Sequence, residues 1–384
     1  MSDARRAHAE ACAKAANALA AVPATHRPEV FVGFDGFIDH IIDVVDKRTS
    51  PSAYSRIQTI SDLGGKITAA AGKSAGFGAV KTVTKLGGNG PLMANALCAQ
   101  DLAVTVVGVL GDPIEPIFQP LAARAKQAIS LGPPAVTDAL EFDDGKIMFN
   151  FAAPLLEITF DLVAARCGGI DSLKAMIRRS PGIATVDWSQ IPGMTALWRR
   201  FARDVLPGLR PDRPMWFVDL ADTNRHTAAS IQDGLAALAE IQGHADVVLG
   251  LNENELRQVC EVYALPYPQR QPEWEAAREA CIALRRTLGL SRVMCHLVKS
   301  SAVAWDGGSA AQDGFFDAKP KLTTGAGDHY NAGFFAALLA GIAPEQCLQI
   351  GGATSGHYVR TAESPTRAQI IAFLRQHASA SAQA

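Results

Sequence analysis

The sequence predicts an α/β fold, and three observations carry that expectation. Short apolar runs recur, and each stops at a glycine, aspartate or asparagine: Glu29-Val-Phe-Val-Gly33, Gly182–Val186, Met215–Leu220 and Ala245–Leu251. Runs of this length with such boundaries read as buried strands. Helical patterns follow them. After Asp328, for example, Tyr330, Ala332, Phe334, Phe335, Ala336, Leu338 and Leu339 are apolar before a stop at Gly341. The chain is also long and apolar enough, at 384 residues and 48% hydrophobic, for one large α/β domain or two smaller ones.

Composition removes several classes of function. Lys+Arg 36 against Asp+Glu 38 leaves a net charge of −2, with no block of like charge to attract nucleic acid or an anionic membrane. The seven cysteines are scattered and none forms a C-x-x-C pair, so neither a disulfide framework nor a zinc site is expected. No apolar run approaches the length of a bilayer, and no sustained apolar core follows Arg5 and Arg6. The expectation is a cytoplasmic enzyme acting on a small molecule.

Taken in order, residues 3–22 are alanine-rich, a helix by propensity that ends at Pro23 and Pro28. The strand 29–33 leads to Phe34-Asp35-Gly36-Phe37-Ile38-Asp39, where a carboxylate at a strand end can accept hydrogen bonds from ligand hydroxyls. Asp35 and Asp39 compete for that role. Residues 61–76 hold Gly64-Gly65-Lys66 and Gly72-Lys73-Ser74, a near miss for a P-loop, since Ile67 stands where the motif needs glycine. They read as a mobile loop. Leu86-Gly87-Gly88-Asn89-Gly-Pro opens a helix rich in small residues, and residues 101–109 form the next strand. Residues 135–160 alternate around Asp143-Asp144-Gly145 and read as a hairpin.

Later, Asn252-Glu-Asn-Glu255 stands where a strand passes into a helix, a pattern that by itself suits a helix capping box. Residues 291–305 carry a strand and then Lys299-Ser300-Ser301. Finally Thr323-Thr324-Gly325-Ala326-Gly327-Asp328 places small residues and a carboxylate at a helix N-terminus. Backbone N–H groups there converge on an anion, and an aspartate at the same point can take a proton from a hydroxyl.

Gly325-Ala326-Gly327-Asp328, Gly87-Gly88 before a small-residue helix, and Asn252-x-x-Glu255 resemble, in that order, the signatures of the ribokinase (PfkB) family of carbohydrate kinases. The resemblance spans residues 29–375. It implies a doubly wound three-layer α/β sandwich with a small β lid, the lid being 135–160 with part of 41–60. Residues 1–28 are then a helical extension and 376–384 a C-terminal tail. It further implies transfer of the γ-phosphoryl group of Mg-ATP to a sugar hydroxyl. Asp328 would be the base, and Gly325, Ala326 and Gly327 would form the anion hole. Asn252 and Glu255 would place Mg²⁺ through water. Lys299, Thr323, Thr324, Gly352 and Ser355 would lie along the nucleotide. Asp35 or Asp39, with Gly87, Gly88 and Asn89, would hold the sugar.

Three positions depart from the family pattern: Leu92 for a common asparagine, Lys299 for a common glycine, and Leu322 for a common aspartate, which argues against strong potassium activation. The alternatives are a nucleoside or vitamin-alcohol kinase, an ADP-dependent sugar kinase, or a sensor that binds without turnover. A homodimer is possible.

Overall fold

The computed structural model of the chain describes residues 3–209, 212–268 and 272–380. The chain opens with α1 (Asp3–Ala21), β1 (Glu29–Phe34), β2 (Phe37–Arg48), β3 (Tyr54–Arg56), α2 (Ile60–Ala69), β4 (Gly78–Gly87) and α3 (Asn89–Ala99). It continues through β5 (Ala103–Gly108), α4 (Gln119–Arg124), β6 (Gln127–Ser130), β7 (Ala135–Phe142), β8 (Gly145–Phe151), α5 (Phe160–Arg166) and α6 (Ile170–Arg179). Then come β9 (Gly182–Thr185), α7 (Met194–Arg200), β10 (Met215–Asp219), α8 (Ala228–Gln242), β11 (Asp246–Asn252), α9 (Glu253–Val262) and α10 (Glu273–Leu288). The last elements are β12 (Arg292–His296), β13 (Ser300–Trp305), β14 (Gly308–Asp313), α11 (Ala326–Leu339), α12 (Pro344–Thr361) and α13 (Arg367–Ala380).

Nine strands form one sheet in the order β14-β13-β12-β11-β10-β9-β1-β5-β6. From β6 to β12 the neighbours are parallel, and β13 and β14 close one edge antiparallel. A parallel sheet must be covered on both faces, and its strands are accordingly apolar on both. In β1, Val30 and Val32 enter one core while Phe31 and Phe34 enter the other. Residues of α5 to α10 fill the Phe31 side, and those of α1, α3, α4, α11, α12 and α13 the Val30 side. The result is the expected three-layer sandwich. Helix α1 belongs to it, burying Cys12, Ala15, Ala16 and Leu19 against α12 and α13. Helix α13 runs on to Ala380, past the expected boundary at 375, while residues 381–384 of the expected tail lie outside the described residues. All seven cysteines are free thiols. No helix among the described residues is long and apolar enough to cross a membrane.

A second sheet of five strands stands beside the sandwich: β3-β2-β7-β8, with β4 also on β2. The hairpin expected over 135–160 is present as β7 and β8, but it ends at Phe151, and residues 153–157 form a short 3-10 turn before α5. Strand β4 was not expected; it is exposed along much of its length, and its pairing with β2 shifts register at Thr82, between Lys81 opposite Ile42 and Val83 opposite Ile41. The mobile loop expected over 61–76 is corrected at its start, because residues 60–69 are helix. Thr59 caps that helix by accepting from Asp62 N–H at 3.0 Å. Leu63 anchors it in a small core with Val44, Ile57 and Phe142. Gly64 and Gly65 are exposed on it, so nothing resembling a phosphate loop forms.

Candidate active site

In a doubly wound sheet, ligands bind beyond the carboxyl ends of the parallel strands, where the strand order reverses. Here β1 lies between β5, reached next in that sheet, and β9, reached later. Asp35 follows β1, Asp187 follows β9, Asp219 ends β10, Asn252 ends β11 and His296 ends β12. The N-terminus of α11, with Asp328, faces this row. Burial pushes Asp35 up to about 7 and Asp219 up to about 6. Burial together with neighbouring acids, Asp35 first for Asp187 and Asp219 first for Asp328, holds those two well above the usual carboxylate range. Such displaced carboxyls gather at functional sites.

The turn between β4 and α3 is shaped by Asp35 and by Asp39 of β2. Asp35 is 1% exposed, and its Oδ1 accepts from Gly90 N–H at 2.7 Å, while Oδ2 has no partner. A Cβ on Gly88 would lie 2.6 Å from Asp35 Oδ2, and one on Gly87 only 2.2 Å from Asp39 Oδ1. Gly88 also sits at φ +91, a backbone state that L-residues with a side chain rarely adopt. The glycine pair is thus required by the carboxylates beside it. Asp39, not Asp35, lines the nearby small cavity of about 110 Å³. Asn89, Leu92, Thr137, Asn150, Gln190, Thr324 and Asp328 line it as well. Leu92 adds an apolar wall where an asparagine was the expected residue.

The segment before α11 divides this small cavity from a larger one of about 680 Å³. Thr324 and Asp328 face the small cavity, while Thr323, Ala326 and Gly327 face the large one. Gly325 caps the helix at φ +91. Ala326 N–H donates to the Thr323 carbonyl at 3.1 Å. The Gly327 and Asp328 N–H groups have no acceptor in the chain among the described residues. Of the residues expected to form the anion hole, Ala326 therefore has its amide engaged and Gly327 has its amide open, with the open Asp328 amide beside it. Two side chains pin the turn from behind: Tyr358 Oη donates to the Thr324 carbonyl at 2.9 Å, and His329 Nδ1 lies 2.7 Å from the Gly325 carbonyl. A carbonyl only accepts, so Nδ1 carries the proton and Nε2 accepts from Ser364 Oγ at 2.8 Å. Ser364 in turn accepts from Asn95 Nδ2 at 2.8 Å. Burial pulls His329 down to about 4, so the ring is neutral at physiological pH.

The large cavity is framed by Asn252, His296, Ser300, Phe315, Phe316, Gly352, Ser355 and Val359, among others. Asn252 reaches it, but Glu255 does not. Glu255 is 2% exposed, and its oxygens accept from Asn252 N–H at 2.9 Å and from Asn252 Nδ2 at 2.6 Å. Asn252 Oδ1 accepts from Glu255 N–H at 2.9 Å. The pair forms a complete capping box on α9. Lys299 lies at the rim, exposed, with Nζ 5.0 Å from the centre of the Phe316 ring.

Several groups at the site were not singled out from the sequence. Asp187 and Gln190 follow a recognised strand but carry no motif. Lys85, Thr137, Lys146 and Asn150 come from lid strands, and their alternation is the signal that points inward. Asn331 stands one turn after Asp328 and donates to Asp219 Oδ2 at 2.6 Å, which ties the end of β10 to α11.

A model of the prokaryotic ketohexokinase family matches residues 5–377. A ketohexokinase of Haloferax volcanii is 27% identical over 346 residues, 90% of each chain. Among solved structures, ribokinase from Thermotoga maritima superposes with a TM-score of 0.60 at 18% identity, covering 91% of this chain and 99% of that one. Arabidopsis thaliana ribokinase, complexed with ribose and ATP, gives 0.59 at 18% identity with the same coverage. Adenosine kinase from Sinorhizobium meliloti gives 0.60 at 16%, again covering 91% and 99%. With the family model matched over nearly its whole length, the chain belongs to the prokaryotic ketohexokinase family, as a carbohydrate kinase on the ribokinase fold.

Proposed function

We propose that the chain transfers the γ-phosphoryl group of ATP to a hydroxyl of a ketohexose, with Asp328 as general base. One observation carries the reading. Asp328 and the open Gly327 and Asp328 amides stand in the wall between two cavities, a small polar one and a larger one. The larger, at about 680 Å³, falls in the ordinary range for a cofactor site, on the order of 300–1,000 Å³. The small cavity supplies Asp39, Asn89, Thr137, Asn150 and Gln190 for sugar hydroxyls, and the Asn150 oxygen is buried without a partner in the chain.

The raised Asp328 carboxyl suits a base that must hold the hydroxyl proton as the oxygen attacks, a role worth ~10²–10⁴ in rate. The two open amides face the place where charge accumulates on the transferring group, and removing one such donor typically costs about 3 kcal/mol. The donor set near Asn252 suits a hydrated Mg²⁺ rather than a protein cage. No cluster of three or more His, Cys, Asp or Glu among the described residues is arranged to hold a metal, and Mg²⁺ at nucleotide phosphates keeps its waters. Asn252, held by the buried Glu255 carboxyl, would face it, and the ion when bound would neutralise phosphate charge.

A coupled assay tests this with ATP and with ADP against fructose, other ketoses, aldoses and nucleosides. Turnover of a ketohexose with Mg-ATP is expected. Turnover of a nucleoside alone, or of any acceptor with ADP alone, would overturn it. We also carry a homodimer as a proposal, because Phe149 and Phe151 are exposed on the outer face of the lid at 52% and 58%. Light scattering reads the mass.

A further inference from the structure

A phosphoryl group crossing between the two cavities enters a place crowded with acids, whose charge, where ionised, opposes its own. Asp35, Asp39, Asp187, Asp219 and Asp328 surround it, and no lysine or arginine lines either cavity among the described residues. The lid brings the missing charge to the edge of the small cavity. In β8, Lys146, Met148 and Asn150 alternate onto one face, and Met148 and Asn150 line that cavity. Lys146 Nζ reaches off the lid to donate to Thr324 Oγ1 at 2.8 Å. Thr324 lines the cavity and immediately precedes the Gly325 turn. The ammonium also lies 3.7 Å from Glu141, opposite it in the β7–β8 ladder, and within reach of the Asp39 charge. Lys85 is less available, since it lies directly across the β2–β4 ladder from Asp39 and against its charge.

We propose that Lys146 is a further catalytic residue, which moves from Thr324 onto the phosphoryl group during transfer and remains on the phosphate of the product. The proposal rests on the kinase reading above. In the step itself, the sugar oxygen forms its bond to the γ-phosphorus as the bond from that phosphorus to the β–γ bridging oxygen breaks. The bonding pair leaves on ADP, and the hydroxyl proton passes to Asp328. Lys146 neither gains nor loses a proton. Its ammonium donates hydrogen bonds to oxygens that are present only on the transferring group and on the product, so it distinguishes those states from bound sugar.

The test compares wild type, Lys146→Met and Lys146→Arg. Steady-state kinetics with fructose is read beside calorimetric affinities for fructose, for the phosphorylated product isolated from the wild-type reaction, and for inorganic phosphate. Lys146→Met should lower kcat by about 10²-fold, the loss typical of one such donor, and weaken product and phosphate binding at least about tenfold. Fructose affinity should stay within about twofold, and Lys146→Arg should restore most of the product affinity. A lysine that merely ties the lid down would instead lower fructose and product affinity together, and that result overturns the proposal. So would unchanged kcat and product binding in Lys146→Met. If wild type phosphorylated no sugar, the functional reading would fail by itself. The phosphate-binding comparison would still decide whether Lys146 holds an anion.

Discussion

Asp35→Asn probes the buried acids most cleanly. The carboxyl is 1% exposed, and although Gly90 donates to one oxygen the other has no partner. Burial carries it from 3.8 to about 7, with the nearby Asp219 charge acting in the same direction. Between those two values the folded chain holds a proton that the unfolded chain has released. Stability contributed by this group is therefore present at low pH and lost as pH rises through the folded value. The full difference corresponds to on the order of 4 kcal/mol, as a ceiling because Asp187 and Asp219 titrate with it.

Asparagine keeps the acceptor for Gly90 N–H and puts an amide donor among the neighbouring carboxylates. Urea unfolding at pH 5 and pH 8 measures the outcome. The variant should match wild type within about 1 kcal/mol at pH 5 and exceed it by roughly 2 kcal/mol at pH 8. Histidines that titrate in the same interval cancel in the difference. A variant no more stable than wild type at pH 8 would refute the reasoning. The same substitution removes a negative neighbour from Asp328, so the acid limb of kcat/KM should move to lower pH.

Two further substitutions test the geometry of the site. Gly87→Ala places a Cβ 2.2 Å from Asp39 Oδ1 and so must displace that carboxylate; the KM for sugar should rise at least about tenfold with the KM for ATP little changed, as expected for loss of a charged hydrogen-bond partner. Equal KM values in the variant would mean that Asp39 does not hold the sugar. His329→Leu frees the Gly325 carbonyl and should lower kcat about tenfold or more with both KM values nearly intact, whereas His329→Asn, which can still donate to that carbonyl, should recover much of the rate. Matching losses in the two variants would point to a packing role instead.

The sheet and the three helix N-termini at the site were legible because each rests on local chemistry. Apolar runs that break at Gly33, Asp187 and Asn252 mark strand ends, and the small residues at 87–90 and 325–327 mark tight helix starts. What local reading could not supply was the pairing of distant segments. Strand β4 is exposed along much of its length and belongs to the lid only because β2 pairs with it. Residues 60–69 look like a glycine-rich loop until Leu63 finds its small core in the lid. The choice between Asp35 and Asp39 depended on which of them reaches a cavity, a matter of three dimensions. Asn252 and Glu255 were correctly placed at a strand–helix junction, but only the folded chain shows their mutual hydrogen bonds as a complete capping box on α9.

The claim at the centre of the account is that Asp328 takes the proton from the sugar hydroxyl. The direct measurement is kcat for fructose with Mg-ATP in Asp328→Asn, beside calorimetric binding of ATP to the same variant. The account predicts that kcat falls by at least about 10²-fold, with ATP affinity within a few fold of wild type. A kcat within tenfold of wild type would contradict it.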